Sequence, residues 1–239
     1  MEEKGKKPTA IEMFLSKLFF MFLGAVTVMI LVCAVLSFMA DVKEKEAPKK
    51  DVDMDIDKPN IVKEYLTPNT YSRSQRKLKQ VKGIVIHYTA NPGSSAMDNR
   101  NYFENLRKKK TTYASSHFIV GLKGEIVQCM PLSEIAYASN KRNIDTISIE
   151  CCHPDSSGKF SKRTYKSLIH LVAWLSEKYH VKQENIIRHY DVTGKMCPKY
   201  YVKHKKAWKK LKKDVKKYRR EHREKLEPAK KEENVQTSF

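Results

Sequence analysis

The chain has 239 residues, of which 41% are hydrophobic and 31% charged, and 47 Lys and Arg against 27 Asp and Glu give a formal charge of +20. That length holds one domain of about 150 residues plus additional segments, and the charge favours anionic partners such as wall polymers, lipid head groups or nucleic acid. Five scattered cysteines without paired spacing argue against both a disulfide scaffold and a zinc ribbon.

Residues 1–17 are polar and carry Lys4, Lys6, Lys7 and Lys17. Residues 18–40 contain no charge, and at about 1.5 Å per residue such a helix spans a hydrocarbon core of about 30 Å. The run exceeds the roughly 7–15 apolar residues of a signal peptide, and Phe38 suits a small-x-small cleavage site poorly. An uncleaved single-pass anchor in the cell membrane is therefore expected. The N-terminal lysines would keep that end in the cytoplasm and leave the rest on the wall side. Residues 41–76 mix acid and base around Pro48, Pro59 and Pro68. They read as a solvated tether with a mean span of roughly 30–40 Å, whose end, 65–77, packs against the domain that follows.

From residue 81 the pattern becomes that of a folded domain, expected over 77–220. Residues 81–89 form a buried strand with Ile84, Val85 and Ile86 in sequence. A loop at 91–95 ends in Ser95 as a helix cap, and a helix through Tyr102, Phe103 and Leu106 runs to the lysines at 108–110. Residues 115–120 and 125–130 flank a glycine turn as a β-hairpin. A strand over 146–152 follows, then a helix over 162–179 with Tyr165, Leu168, Ile169, Val172 and Leu175 on one stripe. Residues 185–189 form another strand. A last helix begins near Val202 and carries Trp208, Leu211, Val215 and Tyr218 on one side, with a charged tail over 221–239. This alternation predicts an α/β fold with a central mixed β-sheet flanked by helices.

Residues 188–198 concentrate chemistry, with His189, Lys195 and Cys197 around the turn at Thr193 and Gly194. The turn lets Cys197 double back toward His189. His87, at the end of the first strand, supplies a third donor. Imidazole and thiolate are ligands that zinc prefers, and three protein ligands leave a fourth position for water. By itself a lone histidine at a strand end is more often structural, and the spacing between His87 and His189 does not decide the matter.

Segments 81–90, 112–130, 147–152 and 186–198, in that order, resemble the zinc-dependent N-acetylmuramoyl-L-alanine amidases, whose superfamily includes phage lysozyme-type amidases and animal peptidoglycan recognition proteins. The resemblance implies Zn2+ held by His87, His189 and Cys197, the last position being Cys in some members and Asp in others. It implies Glu150 as the catalytic carboxylate that moves a proton from water to the leaving amine. Lys195 matches a basic residue that stabilises the oxyanion. One departure stands out: phage and animal members carry tyrosine directly before His117, where this chain has Ser116. Tyr113 lies out of register, which favours the glutamate version of the mechanism. His117 itself reads as a sheet-packing or substrate-side residue, and His153 and Asp155 as possible substrate neighbours.

The implied activity is that of a membrane-anchored zinc hydrolase acting on peptidoglycan, at the amide between N-acetylmuramic acid and L-alanine. A non-catalytic peptidoglycan-binding module on the same fold and a phage-type endolysin are the alternatives. A cytoplasmic recycling role conflicts with the predicted span. The Lys-rich C-terminal helix suggests contact with anionic wall polymers or lipid head groups. Nucleic acid is not expected, because the chain shows no base-stacking array.

Overall fold

A computed structural model describes residues 56–236, together with scattered positions between Ile11 and Val35. The chain divides into two compact units, 1–53 and 54–239. In the first, the described positions are helical and solvent-exposed. Among the described residues no helix is long and apolar enough to cross a membrane, and much of the 18–40 span and the tether up to residue 55 lie outside them.

The second unit is built on a six-stranded sheet of β1 (Ile61–Lys63), β2 (Gly83–Ile86), β3 (Phe118–Val120), β4 (Ile126–Gln128), β5 (Thr146–Cys151) and β6 (Ile186–Arg188), in the order β1-β4-β3-β5-β2-β6. The β3–β4 hairpin is antiparallel, and the other pairings are parallel. The hairpin closes where Gly121 N–H donates to the Glu125 carbonyl at 2.8 Å, with Gly124 at φ 89° supplying the left-handed turn. β2, between two parallel neighbours and covered on both faces, is apolar throughout, as such strands are.

Helices cover both faces. On one side α2 (Lys162–Lys178) packs Leu168, Leu171, Val172 and Leu175 against Ile84, Ile86, Ile147 and Ile149. Leu211 and Val215 of α5 (Lys205–Gln236) join that core. On the other side α1 (Ala96–Lys109) sets Phe103 and Leu106 against Ile119 and Val127. Strand alternation sorts the two cores, because Phe118 and Val120 face α2 while Ile119 faces α1. Ser95 caps α1 as predicted. Its hydroxyl accepts from Asp98 N–H at 3.1 Å, and its own N–H donates to the Asp98 carboxylate at 2.9 Å. Leu168 is fully buried. Leu168→Ala is therefore expected to lower the unfolding free energy by about 2–5 kcal/mol, read as a fall in urea midpoint at unchanged slope.

Two boundaries differ from the sequence reading. The packed unit begins before residue 77: Ile56 and Leu66 are buried, and β1 pairs in parallel with β4. The sequence pattern places this edge strand in the tether, because three residues among prolines and charges carry no periodicity and their partner is distant in sequence. At the other end a separate turn, α4 (Lys199–Lys203), precedes α5, which runs to Gln236. Pairs such as Lys210–Asp214 and Lys217–Glu221 support α5 at helical spacing.

Candidate metal centre and active site

The register of the parallel strands sets the site. Ile86 of β2 pairs with Ile149 of β5 and with Arg188 of β6. One residue further on, His87, Glu150 and His189 therefore lie side by side on one face of the sheet. His87 N–H still donates to the Ile149 carbonyl at 2.9 Å, so the ladder holds at that step. Ligand sites of open α/β sheets fall at the carboxyl ends of their strands, and this is such an end.

His189 opens the short helix α3 (His189–Thr193), which Gly194 ends at φ 77°. That left-handed residue turns the chain back, and Tyr190 N–H donates to the Cys197 carbonyl at 2.8 Å. Cys197 thereby returns to His189, as the glycine turn predicts. Potential ligand atoms of His87, His189 and Cys197 all lie within 4.8 Å of one another. Cys197 Sγ is 3.8 Å from His87 Nδ1, and the two imidazole centroids are 4.7 Å apart. All three side chains are buried. Glu150 faces the same point, with Oε1 at 4.0 Å from His87 Nδ1 and Oε2 buried without a partner.

Burial governs the protonation of this cluster. It drives the His87 pKa well below the ordinary imidazole value, assisted by the His189 and Lys195 charges, and lowers that of His189 in the same way. Both rings are thus neutral and able to donate a lone pair. Burial pushes the Glu150 carboxyl up to about 8, opposed by the positive charge of Lys195. The Cys197 thiol is pushed up to about 12 by burial and then by Glu150. Without a cation the sulfur keeps its proton.

The cluster sits at the base of a cleft of about 490 Å³, walled by Asn99, Tyr102 and Phe103 of α1, by Tyr113 and Tyr137, and by Lys195 at the rim. The five residues singled out by the sequence, His87, Glu150, His189, Lys195 and Cys197, all line it. Tyr113 is exposed, stacked on Tyr71 with ring centroids 5.1 Å apart. Ser116 and His117 belong to the core instead. His117 approaches Ser148 Oγ at 3.1 Å and the Glu134 carbonyl at 2.9 Å, and burial takes its pKa down to about 4. His153 is buried as well, its Nδ1 2.7 Å from the Asp155 carbonyl.

Sequence reasoning missed Ser139 and Asn140. Ser139 Oγ lies 3.1 Å from His87 Nε2, and Asn140 Oδ1 lies 3.1 Å from His189 Nε2. Ser139 precedes and Asn140 opens a 3-10 turn, Asn140–Ile144, which carries no periodicity or motif, so nothing local marks them.

The N-acetylmuramoyl-L-alanine amidase family matches residues 77–200. The chain is 36% identical over 157 residues to N-acetylmuramoyl-L-alanine amidase CwlL of Bacillus licheniformis, covering 59% of this chain and 42% of that protein. It is 32% identical over 173 residues to N-acetylmuramoyl-L-alanine amidase BlyA of Bacillus subtilis strain 168, covering 64% and 46%. The matched region thus spans less than half the length of these curated relatives. A mutant endolysin from Bacillus subtilis superimposes with a TM-score of 0.56 at 26% identity, over 65% of this chain and 98% of that one. The catalytic domain of XlyA gives 0.56 at 25% identity, over 65% and 99%. With the family match running from the approach to β2 as far as Tyr200, and so through His87, His189 and Cys197, the chain belongs to the N-acetylmuramoyl-L-alanine amidase family.

Proposed function

We propose that the protein is a membrane-anchored, zinc-dependent hydrolase that cuts the amide between the lactyl group of N-acetylmuramic acid and the L-alanine of the peptidoglycan stem. The observation carrying this reading is the convergence of His87, His189 and Cys197 beside a carboxylate with an unpartnered oxygen. Two neutral imidazoles and one sulfur suit Zn2+. A tetrahedral ion with bonds of about 2.0–2.3 Å needs its ligands about 3.3–3.6 Å apart, and the 3.8 Å between Cys197 Sγ and His87 Nδ1 is close to that.

When bound, zinc supplies a Lewis acid and activates water at neutral pH. Glu150 takes the proton released as the water oxygen bonds to the lactyl carbonyl carbon. It then delivers that proton to the alanine nitrogen as the C–N bond breaks. The Glu150 carboxylate, with Oε1 4.0 Å from His87 Nδ1 and Oε2 buried without a partner, is placed to hold that proton between the two steps. The Lys195 ammonium, at the cleft rim, stabilises the negative charge gathering on the carbonyl oxygen. The open cleft, with Tyr113 and Tyr137 on its wall, leaves room for a glycopeptide strand.

The anchor assignment rests on the uncharged run at 18–40, in which Leu18, Phe22, Met29 and Leu31 are helical and exposed. An N-terminus in the cytoplasm then puts the catalytic unit on the wall side. The outer face of α5 carries Lys206, Lys209, Lys213 and Lys216, suited to anionic lipid or wall polymer. Lysis in the manner of an endolysin is a second reading, favoured by the likeness to the endolysin from Bacillus subtilis. Retention of the full chain in the membrane fraction separates the first reading from release into the medium.

Incubating the full chain with purified peptidoglycan tests the activity. Stem peptides bearing a free L-alanine amine are expected, lost with a chelator and restored by zinc. Absence of that release overturns the reading. Lys195→Ala is expected to lower kcat by about 10²–10³-fold while zinc content stays at one per chain, measured by metal analysis.

A further inference from the structure

We infer that Ser139 and Asn140 are positioning residues for the metal centre, one dipeptide fixing the orientation and tautomer of both imidazole ligands. This rests on the zinc reading above. His87 turns Nδ1 toward Cys197 Sγ and Glu150 Oε1, at 3.8 and 4.0 Å, so the ion side of that ring is Nδ1. Its other nitrogen, Nε2, meets Ser139 Oγ at 3.1 Å. For His189 the chemistry of the partner fixes the proton. Asn140 Oδ1 is an amide oxygen and can only accept, so His189 Nε2–H donates across 3.1 Å. A neutral imidazole carries one N–H, and placing it on Nε2 leaves the Nδ1 lone pair for a metal.

Adjacent side chains reach two rings because strand register sets those rings 4.7 Å apart and because the backbone at 139–140 is unusual. Asn140 adopts φ 50°, the left-handed region that asparagine tolerates better than most residues. The turn is held from beneath. Asn143 Oδ1 accepts from the backbone N–H groups of Ala138 and Ser139, at 3.1 and 2.5 Å. Thr146 Oγ1 donates to the Arg142 carbonyl, and Arg142 pairs with Asp145 at 2.7 Å. Ser139 is 1% exposed, so its hydroxyl cannot drift into solvent. A segment so braced acts as a fixed shelf under both ligands. Outer-shell partners of this kind typically change metal affinity by about 10–100-fold.

The test is zinc affinity of the full chain, measured by competition with a chromophoric chelator, for wild type, Ser139→Ala, Asn140→Gly and Asn140→Asp. Glycine keeps the positive φ and removes the acceptor, whereas aspartate offers acceptor oxygens only. Ser139→Ala and Asn140→Gly are each expected to weaken zinc binding about 10–100-fold. Asn140→Asp should restore wild-type affinity or exceed it. Thermal midpoints of the metal-free proteins accompany each titration. The cobalt-substituted forms should show an altered thiolate-to-metal band in the two weakened variants alone. Wild-type affinity in both Ser139→Ala and Asn140→Gly overturns the inference while leaving the zinc reading intact. Weakened affinity in Asn140→Asp equal to that of Asn140→Gly also overturns it. A wild-type chain that takes up no zinc removes the underlying reading first.

Discussion

Replacing Cys197 with serine should empty the metal centre and abolish stem-peptide release. The sulfur is buried, and without a cation its pKa stands near 12. Metal binding must therefore expel a proton from Cys197, and affinity should rise with pH over the range in which the histidines are already neutral. A serine hydroxyl at the same position is a far weaker acid and a harder donor, so it cannot replace the thiolate. The loss should exceed the roughly 10–100-fold associated with outer-shell partners. Metal analysis after dialysis, together with mass spectrometry of digested wall, measures both consequences. Cys197→Asp is the informative companion, since the resemblance places aspartate at this position in some relatives. It should retain part of the zinc and part of the activity. Full zinc retention by Cys197→Ser would remove the sulfur from the ligand set and, with it, the three-ligand centre.

Glu150→Gln should separate chemistry from metal binding. Glutamine nearly matches the shape of the carboxyl but cannot take up and return a proton, so kcat should fall about 10²–10⁴-fold at unchanged zinc content. The same change should stabilise the metal-free protein, in a direction set by the pKa. Burial raises the Glu150 carboxyl from 4.5 to about 8. Between those values the unfolded chain has lost this proton and the folded chain keeps it. The wild type accordingly loses stability as pH rises through the window, and the loss levels off above it. Glu150→Gln lacks that loss, so its thermal midpoint in chelator should match wild type near pH 4 and exceed it increasingly toward pH 8. Equal midpoints at all pH values would mean that the carboxyl is not held in a desolvated site. Such a stability cost is what a carboxyl kept in a desolvated cleft for proton transfer, as proposed for Glu150, would impose on the fold.

Much of the fold was legible because hydrophobic periodicity is local. The α2 stripe through Leu168, Val172 and Leu175, the β2 run at 84–86 and the Ser95 cap each depend on residues within one or two turns of one another. The β3–β4 hairpin was legible for the same reason, since its two glycines lie between its strands. β1 was not. Ile61–Lys63 is too short to show a period, and it becomes a strand only because β4 offers a free edge. The extent of α4 and α5 depended likewise on where packing ends, with Trp208, Leu211 and Val215 reaching the α2 side of the sheet.

The site divides along the same line. The residue types and the turn at Gly194 suggest that His87, His189 and Cys197 share a metal. The choice of these three over structural residues, and of Glu150 and Lys195 beside them, comes from the resemblance of the surrounding strings to the amidase family. Their meeting was not written locally. It follows from β5 and β6 both pairing in parallel with β2, which brings three distant residues level at one end of the sheet. Ser139 and Asn140 could be found only there, because their role comes from lying across a gap from two rings. The sequence by itself determined the longer periodic elements, the uncharged run at 18–40 and which side chains are chemically able to donate to a metal, since those depend on composition and nearest neighbours. Only the tertiary structure decided register, burial and the outer partners of the histidines, because each depends on contacts between residues far apart in the chain.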